Sequence, residues 1–278
     1  MSNTTISIEQ ALLRAATRLD SRLEADLLAC HVLGCERSWL YARGDRRMTA
    51  SAQSDFDDLV EQRLEGRPVA YLLGEREFYG LRFMVDERVL IPRPETELLV
   101  ELALSLPLPA RARVCDVGTG SGCIALVLAA KRPDWQVVAL DESAAALEVA
   151  EKNLSNMKLD NVKLCQSDLL QAAGAEKFDL IVSNPPYIEA TDEHLDKGDL
   201  RFEPRSALEA GADGLDLIRA LIAQAPEKLN DGGWLFIEHG YNQAAAVRKL
   251  LEKAGFDDVR SHFDLAAIER VSGGKKAG

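Results

Sequence analysis

The sequence predicts an α/β protein, with an open and mostly parallel sheet between helices and a small helical domain before it. From residue 113 onward, short apolar segments alternate with helical segments, which is typical of a parallel sheet. The first of these apolar segments runs into a glycine turn and then a helix, as at the ligand-binding edge of open α/β sheets. The first 70 residues instead carry apolar residues at helical spacing.

Composition and charge agree with this fold class and exclude others. The chain has 278 residues, of which 47% are hydrophobic and 28% charged. These values are ordinary for a globular protein and exclude disorder or a disulfide scaffold. With 33 basic and 45 acidic residues the net charge is −12, whereas proteins that grip nucleic-acid phosphates usually carry a basic excess.

Targeting and metal-binding signals are missing from the sequence. The N-terminus lacks an export signal, and no apolar stretch approaches the roughly 18 residues that span a membrane. The five cysteines form no C-x-x-C pair and no zinc-like spacing with histidine. We therefore expect a cytoplasmic protein with no membrane segment and no metal site.

Helical periodicity and capping signals organise the N-terminal region. Ser7 and Gln10 resemble a capping box, Gly34 predicts the end of a second helix, and Thr49–Leu64 predicts a further helix. The apolar residues expected to form the core of this region are Leu12, Leu13, Leu27, Leu28 and Trp39.

The middle of the chain changes from helical to β-type patterning. Apolar residues on both sides of Gly80 predict a β-hairpin, Pro92 and Pro94 interrupt regular structure, and Glu95–Leu106 is helical in character. We predict a helical domain over residues 1–74, a β-hairpin linker over 75–91 and an α/β domain over 92–278.

The α/β domain is expected to contain alternating strands and helices. Predicted strands are Val114–Val117, Val137–Leu140, Val162–Cys165, Leu180–Ser183, Trp234–Glu238, and segments near 256–262 and 268–273. Predicted helices are 121–131, 143–155, 213–229 and 242–254.

A glycine loop follows the first of these strands. Its spacing is G-x-G-x-G rather than the dinucleotide pattern G-x-G-x-x-G, and Asp116 stands just before it. A carboxylate there suits a cationic amino acid better than a pyrophosphate, which favours S-adenosyl-L-methionine over a nicotinamide cofactor. The candidate cofactor-binding residues of the loop are Asp116, Gly118, Thr119, Gly120, Ser121 and Gly122.

Two further strands end in carboxylates at the same predicted edge of the sheet. Asp141 ends the next strand, at a position that commonly binds ribose hydroxyls. Asp168 could face an adenine amino group, with Leu169 packed on the ring. A structural glycine turn with solvated carboxylates is the alternative.

Asn184-Pro185-Pro186-Tyr187 follows a buried strand. The Asn184 side-chain oxygen and the Pro185 carbonyl can hold a planar NH2 group and favour its pyramidal form in a methyl-transfer transition state. Tyr187 offers a flat face to the substrate group. Asn184, Pro185 and Tyr187 are therefore candidate catalytic residues, and Asn184 also borders the cofactor. The motif leaves open whether the NH2 group belongs to adenine, guanine or glutamine, and a simple turn is the alternative.

Five motifs in order resemble the HemK/PrmC methyltransferases, the peptide chain release factor glutamine N5-methyltransferases, over nearly the whole chain. They are Ile91–Glu97, Asp116–Gly122, Ser183–Tyr187, Arg201–Pro204 and Glu238–Gly240.

The resemblance implies a Rossmann-like, seven-stranded class I S-adenosylmethionine-dependent methyltransferase domain with an N-terminal helical domain. It implies methylation of the glutamine in the Gly-Gly-Gln loop of class I release factors. By position, Gly118–Gly122 would hold the methionine part of the cofactor, Asp141 the ribose, and Leu169 would border the adenine. Asn184, Pro185, Pro186 and Tyr187 would receive the glutamine, and Arg93, Glu97 and Glu203 would belong to the substrate side. Ile91–Glu97 resembles the cover of that pocket.

One departure and three alternatives remain. Alanine stands at Ala266, where the closing motif of the family would have glycine, which could alter the turn between the last two strands. The alternatives are a methyltransferase for a ribosomal-protein glutamine, a DNA or RNA exocyclic-amine methyltransferase, and a non-catalytic binding module. The segment from Ile188 to Arg205 carries six acidic and three basic residues, which suits a basic protein loop better than phosphates. The surface of the N-terminal domain is expected to contact the release factor away from the glutamine.

Overall fold

A computed structural model describes residues 6–278, which divide into two compact units at Glu75 and Arg76. The helices of the first unit are α1 (Ile8–Leu19), α2 (Arg22–Leu33), α3 (Arg37–Ala42), α4 (Ala50–Leu64) and α5 (Val69–Leu73). The predicted capping box is confirmed, because the Gln10 amide donates to Ser7 Oγ and the Ser7 amide donates to Gln10 Oε1. Gly34 ends α2 with a φ of 60°, as predicted.

Part of the predicted core of this unit is wrong. Leu12 and Leu28 are buried and Leu27 is half-buried, but Leu13 is 54% exposed and Trp39 is 36% exposed. The buried face of α1 is formed by Ile8, Ala11, Leu12 and Ala15, and Leu13 lies beyond the edge of this apolar stripe. The Arg46 guanidinium instead lies over the Trp39 ring, with Arg46 Cζ 5.8 Å from the ring centroid.

A β-hairpin begins the rest of the chain, with β1 (Glu75–Phe78) and β2 (Leu81–Met84). Tyr79 and Gly80 form the turn, both with positive φ, as in the tight turns that match the twist of a hairpin. Phe78 and Phe83 are buried and pack edge to face. The function of the hairpin as a linker stays a prediction.

The predicted α/β architecture is confirmed, and the residues described form a seven-stranded sheet in the order β5-β4-β3-β6-β7-β9-β8. All neighbours are parallel except β9, which is antiparallel to β7 and β8. The strands are β3 (Arg113–Val117), β4 (Gln136–Asp141), β5 (Val162–Gln166), β6 (Phe178–Ser183), β7 (Leu229–Glu238), β8 (Phe256–Phe263) and β9 (Glu269–Lys276). The helices are α6 (Glu97–Ser105), α7 (Cys123–Lys131), α8 (Ala144–Met157), α9 (Asp216–Lys228) and α10 (Ala244–Lys253).

Apolar side chains fill both faces of this sheet. One core includes α6 and α7 and the other includes α9 and α10. Because β3, β4 and β6 are parallel neighbours, their carboxyl ends meet at one edge. Within residues 6–278, no helix is both long and apolar enough to cross a membrane.

Most boundaries shift by a few residues from the sequence prediction, and one strand start and one turn show why. β7 begins at Leu229 instead of Trp234, because Leu229 pairs with Phe178 of β6. The register between β6 and β7 is irregular at this point, and the polar, glycine-containing residues after Leu229 give no strand signal in the sequence. The turn before β9 has its left-handed residue at Ala267, with a φ of 58°, and not at Ala266.

Candidate functional site

A cavity of about 400 Å³ lies at the carboxyl ends of β3, β4 and β6. Its size falls within the range of roughly 300–1,000 Å³ typical of small-molecule sites. Segments far apart in the sequence line it, and its polar residues include Arg88, Asp141, Glu142, Ser143, Ser167, Asp168, Ser183, Asn184 and Ser206.

The glycine loop closes one side of this cavity. Gly118, Gly120 and Gly122 have φ values of 74°, 55° and 83°, a region that other residues rarely adopt. The amides of Gly118 and Thr119 donate to the Leu140 carbonyl at 2.8 and 2.9 Å, which holds the loop against β4. Gly118 and Gly120 line the cavity.

Asp116 lies beneath this loop and is fully buried. Its Oδ2 accepts hydrogen bonds from Thr119 Oγ1 at 2.6 Å and from the Ala125 amide at 3.2 Å. Its Oδ1 has no partner among the residues described, and burial raises the pKa of Asp116 to about 7. Asp116, Thr119, Ser121 and Gly122 are not among the lining residues, so in this structure they shape the loop from behind.

Asp141 lines the cavity at the end of β4 and is held by two backbone amides. The Gly120 amide donates to Oδ2 at 2.8 Å and the Ser143 amide donates to Oδ1 at 2.9 Å. Burial raises the pKa of Asp141, and the two amides oppose that rise. Each carboxylate oxygen keeps a lone pair that can accept from a ligand hydroxyl.

Asp168 and Leu169 line the cavity after β5. Asp168 Oδ2 accepts from Gln171 Nε2 at 2.7 Å. Leu169 has a φ of 45°, and its carbonyl accepts from Ser167 Oγ at 2.7 Å. A leucine in the left-handed region is strained, and such residues concentrate at functional sites.

The segment Asn184–Pro186 lines the cavity directly after β6. Ser183 Oγ donates to the Val117 carbonyl at 2.7 Å and joins the ends of β6 and β3. Asn184 Nδ2 donates to Thr96 Oγ1 at 3.1 Å. Because the amide nitrogen is engaged there, the Asn184 carbonyl oxygen is the end that remains to accept from a ligand.

Tyr187 is not among the lining residues, and its backbone is fixed from outside the cavity. Its carbonyl accepts from Gln243 Nε2 at 3.0 Å. Gly214 passes so close that an added Cβ would lie 2.2 Å from this carbonyl oxygen. Burial raises the pKa of the Tyr187 hydroxyl, so it stays protonated at neutral pH.

Arg93, Glu97 and Glu203 lie outside the lining and hold the Ile91–Glu97 segment in place. The buried Glu203 accepts from the Ile91 amide at 3.0 Å and forms an ion pair with Arg93. Burial raises the pKa of Glu203, and the charge of Arg93 opposes the rise. Glu97 Oε1 accepts from the Tyr79 amide at 2.8 Å, which joins the segment to the hairpin.

Sequence reasoning assigned no role to three residues that support this site. Thr96 lies inside a recognised motif, but its bond to Asn184 spans 88 positions and leaves no local signal. Gln243 donates to the Tyr187 carbonyl over 56 positions, and the charge of Glu238 contributes to the raised pKa of Tyr187, so both also act at long range.

The charges around the cavity suit a cationic nucleoside ligand. Asp141, Glu142 and Asp168 line it, and Arg88 is already paired with Asp86 and Glu148. This balance disfavours a phosphate and fits the ammonium, sulfonium and ribose of S-adenosylmethionine. In the part of the chain that the structure describes, no three His, Cys, Asp or Glu residues form a candidate metal site.

Two sequence families match the chain. Residues 94–199 match the methyltransferase small domain and residues 9–74 match the PrmC N-terminal domain. The release factor glutamine methyltransferase of Xylella fastidiosa (strain 9a5c) is 52% identical over 269 residues, which cover 96% of this chain and 98% of that protein. The Pseudomonas aeruginosa protein of the same name is 48% identical over 257 residues, 92% of this chain and 93% of the relative.

Solved structures resemble the fold at lower identity. The hMettl16 catalytic domain in complex with a MAT2A 3′UTR hairpin has a TM-score of 0.59 at 19% identity, covering 80% of this chain and 83% of that one. The T. thermophilus 16S rRNA N2 G1207 methyltransferase, in complex with AdoMet and guanosine, has a TM-score of 0.52 at 23% identity, covering 73% and 49%. Both show a shared methyltransferase fold.

Proposed function

The chain belongs to the release factor glutamine methyltransferase family, and from this premise we propose that it methylates the side-chain amide N5 of the glutamine in the Gly-Gly-Gln loop of class I peptide chain release factors. The methyl donor is S-adenosyl-L-methionine. The methyltransferase family match over residues 94–199 supports the reaction type. The charges of the cavity support the choice of donor, because Arg88 is already paired with Asp86 and Glu148 and the other charged lining residues are carboxylates, which suit a cationic cofactor.

The glycine loop and the acidic strand ends would hold the cofactor. Gly118 and Gly120 leave room for the methionine part, because neither carries a side chain at the cavity wall. Asp141 accepts from the ribose hydroxyls, with its orientation fixed by the Gly120 and Ser143 amides. Asp168 and Leu169 would border the adenine. Bound S-adenosylmethionine would supply an electrophilic methyl group from its sulfonium to the acceptor.

Asn184 and Pro185 bind the glutamine amide. The nitrogen lone pair of an amide is delocalised, so it attacks well only when the NH2 group becomes pyramidal. The Asn184 side-chain oxygen and the Pro185 carbonyl accept the two N–H bonds, aim the nitrogen at the methyl group and stabilise the developing positive charge. The methylated amide nitrogen is strongly acidic, so its proton leaves without a dedicated base.

The observation that carries this proposal is the hydrogen bond from Asn184 Nδ2 to Thr96 Oγ1. Because the amide nitrogen is engaged there, the side-chain oxygen is the part of Asn184 that is left to accept from a ligand, and Asn184 lines the cavity beside Pro185. Prolines at positions 185 and 186 also remove two backbone N–H donors that would compete for this acceptor.

A methyl-transfer assay tests the proposal. Purified protein and labelled S-adenosylmethionine are offered a class I release factor, the same factor with its loop glutamine changed to alanine, total ribosomal protein, and DNA. We expect label on the intact release factor alone. Label on a ribosomal protein or on DNA would overturn the substrate, and cofactor binding without any label would favour a non-catalytic module.

A further inference from the structure

Glu238 lies beside the proposed amide-binding residues but does not line the cavity. It is the last residue of β7, and Asn184 follows the last residue of β6. Ser183 pairs with Ile237, so Asn184 and Glu238 are neighbours at the ends of parallel strands. Glu238 is 2% exposed, and its Oε2 has no hydrogen-bond partner within residues 6–278. A buried carboxylate with an unpartnered oxygen is costly and calls for an explanation.

Thr96 connects these two residues. It is 2% exposed and its Oγ1 accepts from Asn184 Nδ2 at 3.1 Å. The Thr96 side chain also lies close enough to the Glu238 carboxyl group to lower its pKa. A hydroxyl has a single proton to donate. A carboxylate can only accept, so an ionised Glu238 takes that proton and leaves the Thr96 lone pairs for Asn184.

We propose that Glu238 is a positioning residue for methyl transfer: by accepting the Thr96 hydroxyl proton it makes Thr96 accept from the Asn184 NH2 group, so that the Asn184 carbonyl oxygen faces the acceptor. The proposal rests on the proposed function, since it concerns how the amide-binding residue is oriented. Without Glu238, Thr96 can donate to the Asn184 oxygen, and the rotated amide presents NH2 to the NH2 of the substrate.

The surroundings make this arrangement sensitive to pH. Burial raises the pKa of Glu238 to about 7, while the nearby Thr96 hydroxyl and the positive charges of Arg270 and Arg93 lower it. Glu95 raises it further, and the nearby Tyr187 hydroxyl stays protonated. Below about pH 7 the protonated Glu238 can donate to Thr96, and the direction of the hydrogen bonds is no longer enforced.

Steady-state kinetics on a release factor between pH 6 and 8.5 test this, with Thr96→Val, Thr96→Ser and Glu238→Gln compared with wild type. We expect kcat of wild type to fall at low pH, Thr96→Ser to keep that profile, and Glu238→Gln to flatten it. Thr96→Val lowers kcat about tenfold, the equivalent of one hydrogen bond, while the Kd for S-adenosylmethionine stays near wild type. Glu252→Gln, an exposed change on α10, is the matched control.

A spectroscopic measurement keeps the test independent of turnover. The side-chain NH2 signals of Asn184, assigned by their loss in Asn184→Ala, should titrate with Glu238 in wild type and Thr96→Ser but not in Thr96→Val. Wild-type kcat and pH profile in both Thr96→Val and Glu238→Gln would overturn the inference. A wild-type enzyme that does not label release factor would instead overturn the proposed function.

Discussion

Asn184 shows how a single side chain acquires a chemical role from its neighbours. An asparagine amide can present either end to a ligand, and the bond to Thr96 selects the oxygen. A sequence motif identifies the residue, but it does not contain the threonine that orients it.

Asn184→Ala is expected to lower kcat about 10²–10³-fold, because it removes a hydrogen bond that strengthens as charge develops in the transition state. The Kd for S-adenosylmethionine should stay near wild type, as measured by calorimetric titration. Asn242→Ala, an exposed position, serves as the control. Comparable turnover in Asn184→Ala would refute the role of this side chain.

Asp116 predicts a pH-dependent stability. Its pKa is raised from 3.8 to about 7 by burial, so the folded protein binds a proton that the unfolded chain releases between these values. The free energy of unfolding therefore loses a contribution as the pH rises through this window. The difference in free energy of unfolding between Asp116→Asn and wild type should therefore be about 2–3 kcal/mol more favourable to the variant at pH 8 than at pH 5. Urea unfolding at both pH values measures this, and an equal difference at both would contradict it.

At the scale of helices and strands, the ends and turns of these elements determine where the site residues lie more than their regular segments do. Strand and helix positions in the α/β region follow from apolar periodicity, and most predicted segments overlap the observed ones. The start of β7 does not, because its pairing with Phe178 depends on a neighbour about 50 residues away rather than on local pattern. Similarly, Glu203 binds the Ile91 amide across 112 positions, which no local propensity encodes.

The turn before β9 offers a test at this scale. Asp264 Oδ1 accepts from the Ala266 and Ile268 amides at 2.9 Å, and Ala267 adopts a φ of 58° between them. Ala267→Gly should raise the free energy of unfolding by about 0.5–1 kcal/mol, because glycine adopts this conformation without strain. Ala266→Gly, with ordinary φ, is the matched control and should not stabilise the fold. Chemical denaturation of both variants measures the difference.

For the whole molecule, the sequence predicted the fold class and the reaction family, and the comparisons confirm both. What it could not predict is the mutual placement of the motifs. The cavity brings Gly118, Asp141 and Asn184 together, but places Asp116 and Tyr187 behind its wall. The roles of these residues stay predictions until binding is measured.

We expect the two units to have different functions, one in cofactor binding and the other in recognition of the release factor. A chain beginning at Glu75 keeps the whole cavity and should bind S-adenosylmethionine with a Kd near that of the full chain. Its KM for a full-length release factor should rise about tenfold or more, because a short glutamine loop offers little contact area for recognition. Equal kinetics for the two proteins would show that the helical unit makes no contribution to substrate binding.

The long-range bonds around Asn184 also bear on synthesis at the ribosome. The residues of the helical unit all precede residue 76. Thr96, in contrast, can make its contacts with Asn184 and Glu238 only after both of these residues have been synthesised. At roughly 5–20 residues per second, translation from residue 76 to residue 238 takes on the order of ten to thirty seconds. The helical unit can therefore fold on the nascent chain well before the active cleft assembles. A growing chain of this enzyme thus passes through a stage in which it is partly folded and not yet able to methylate.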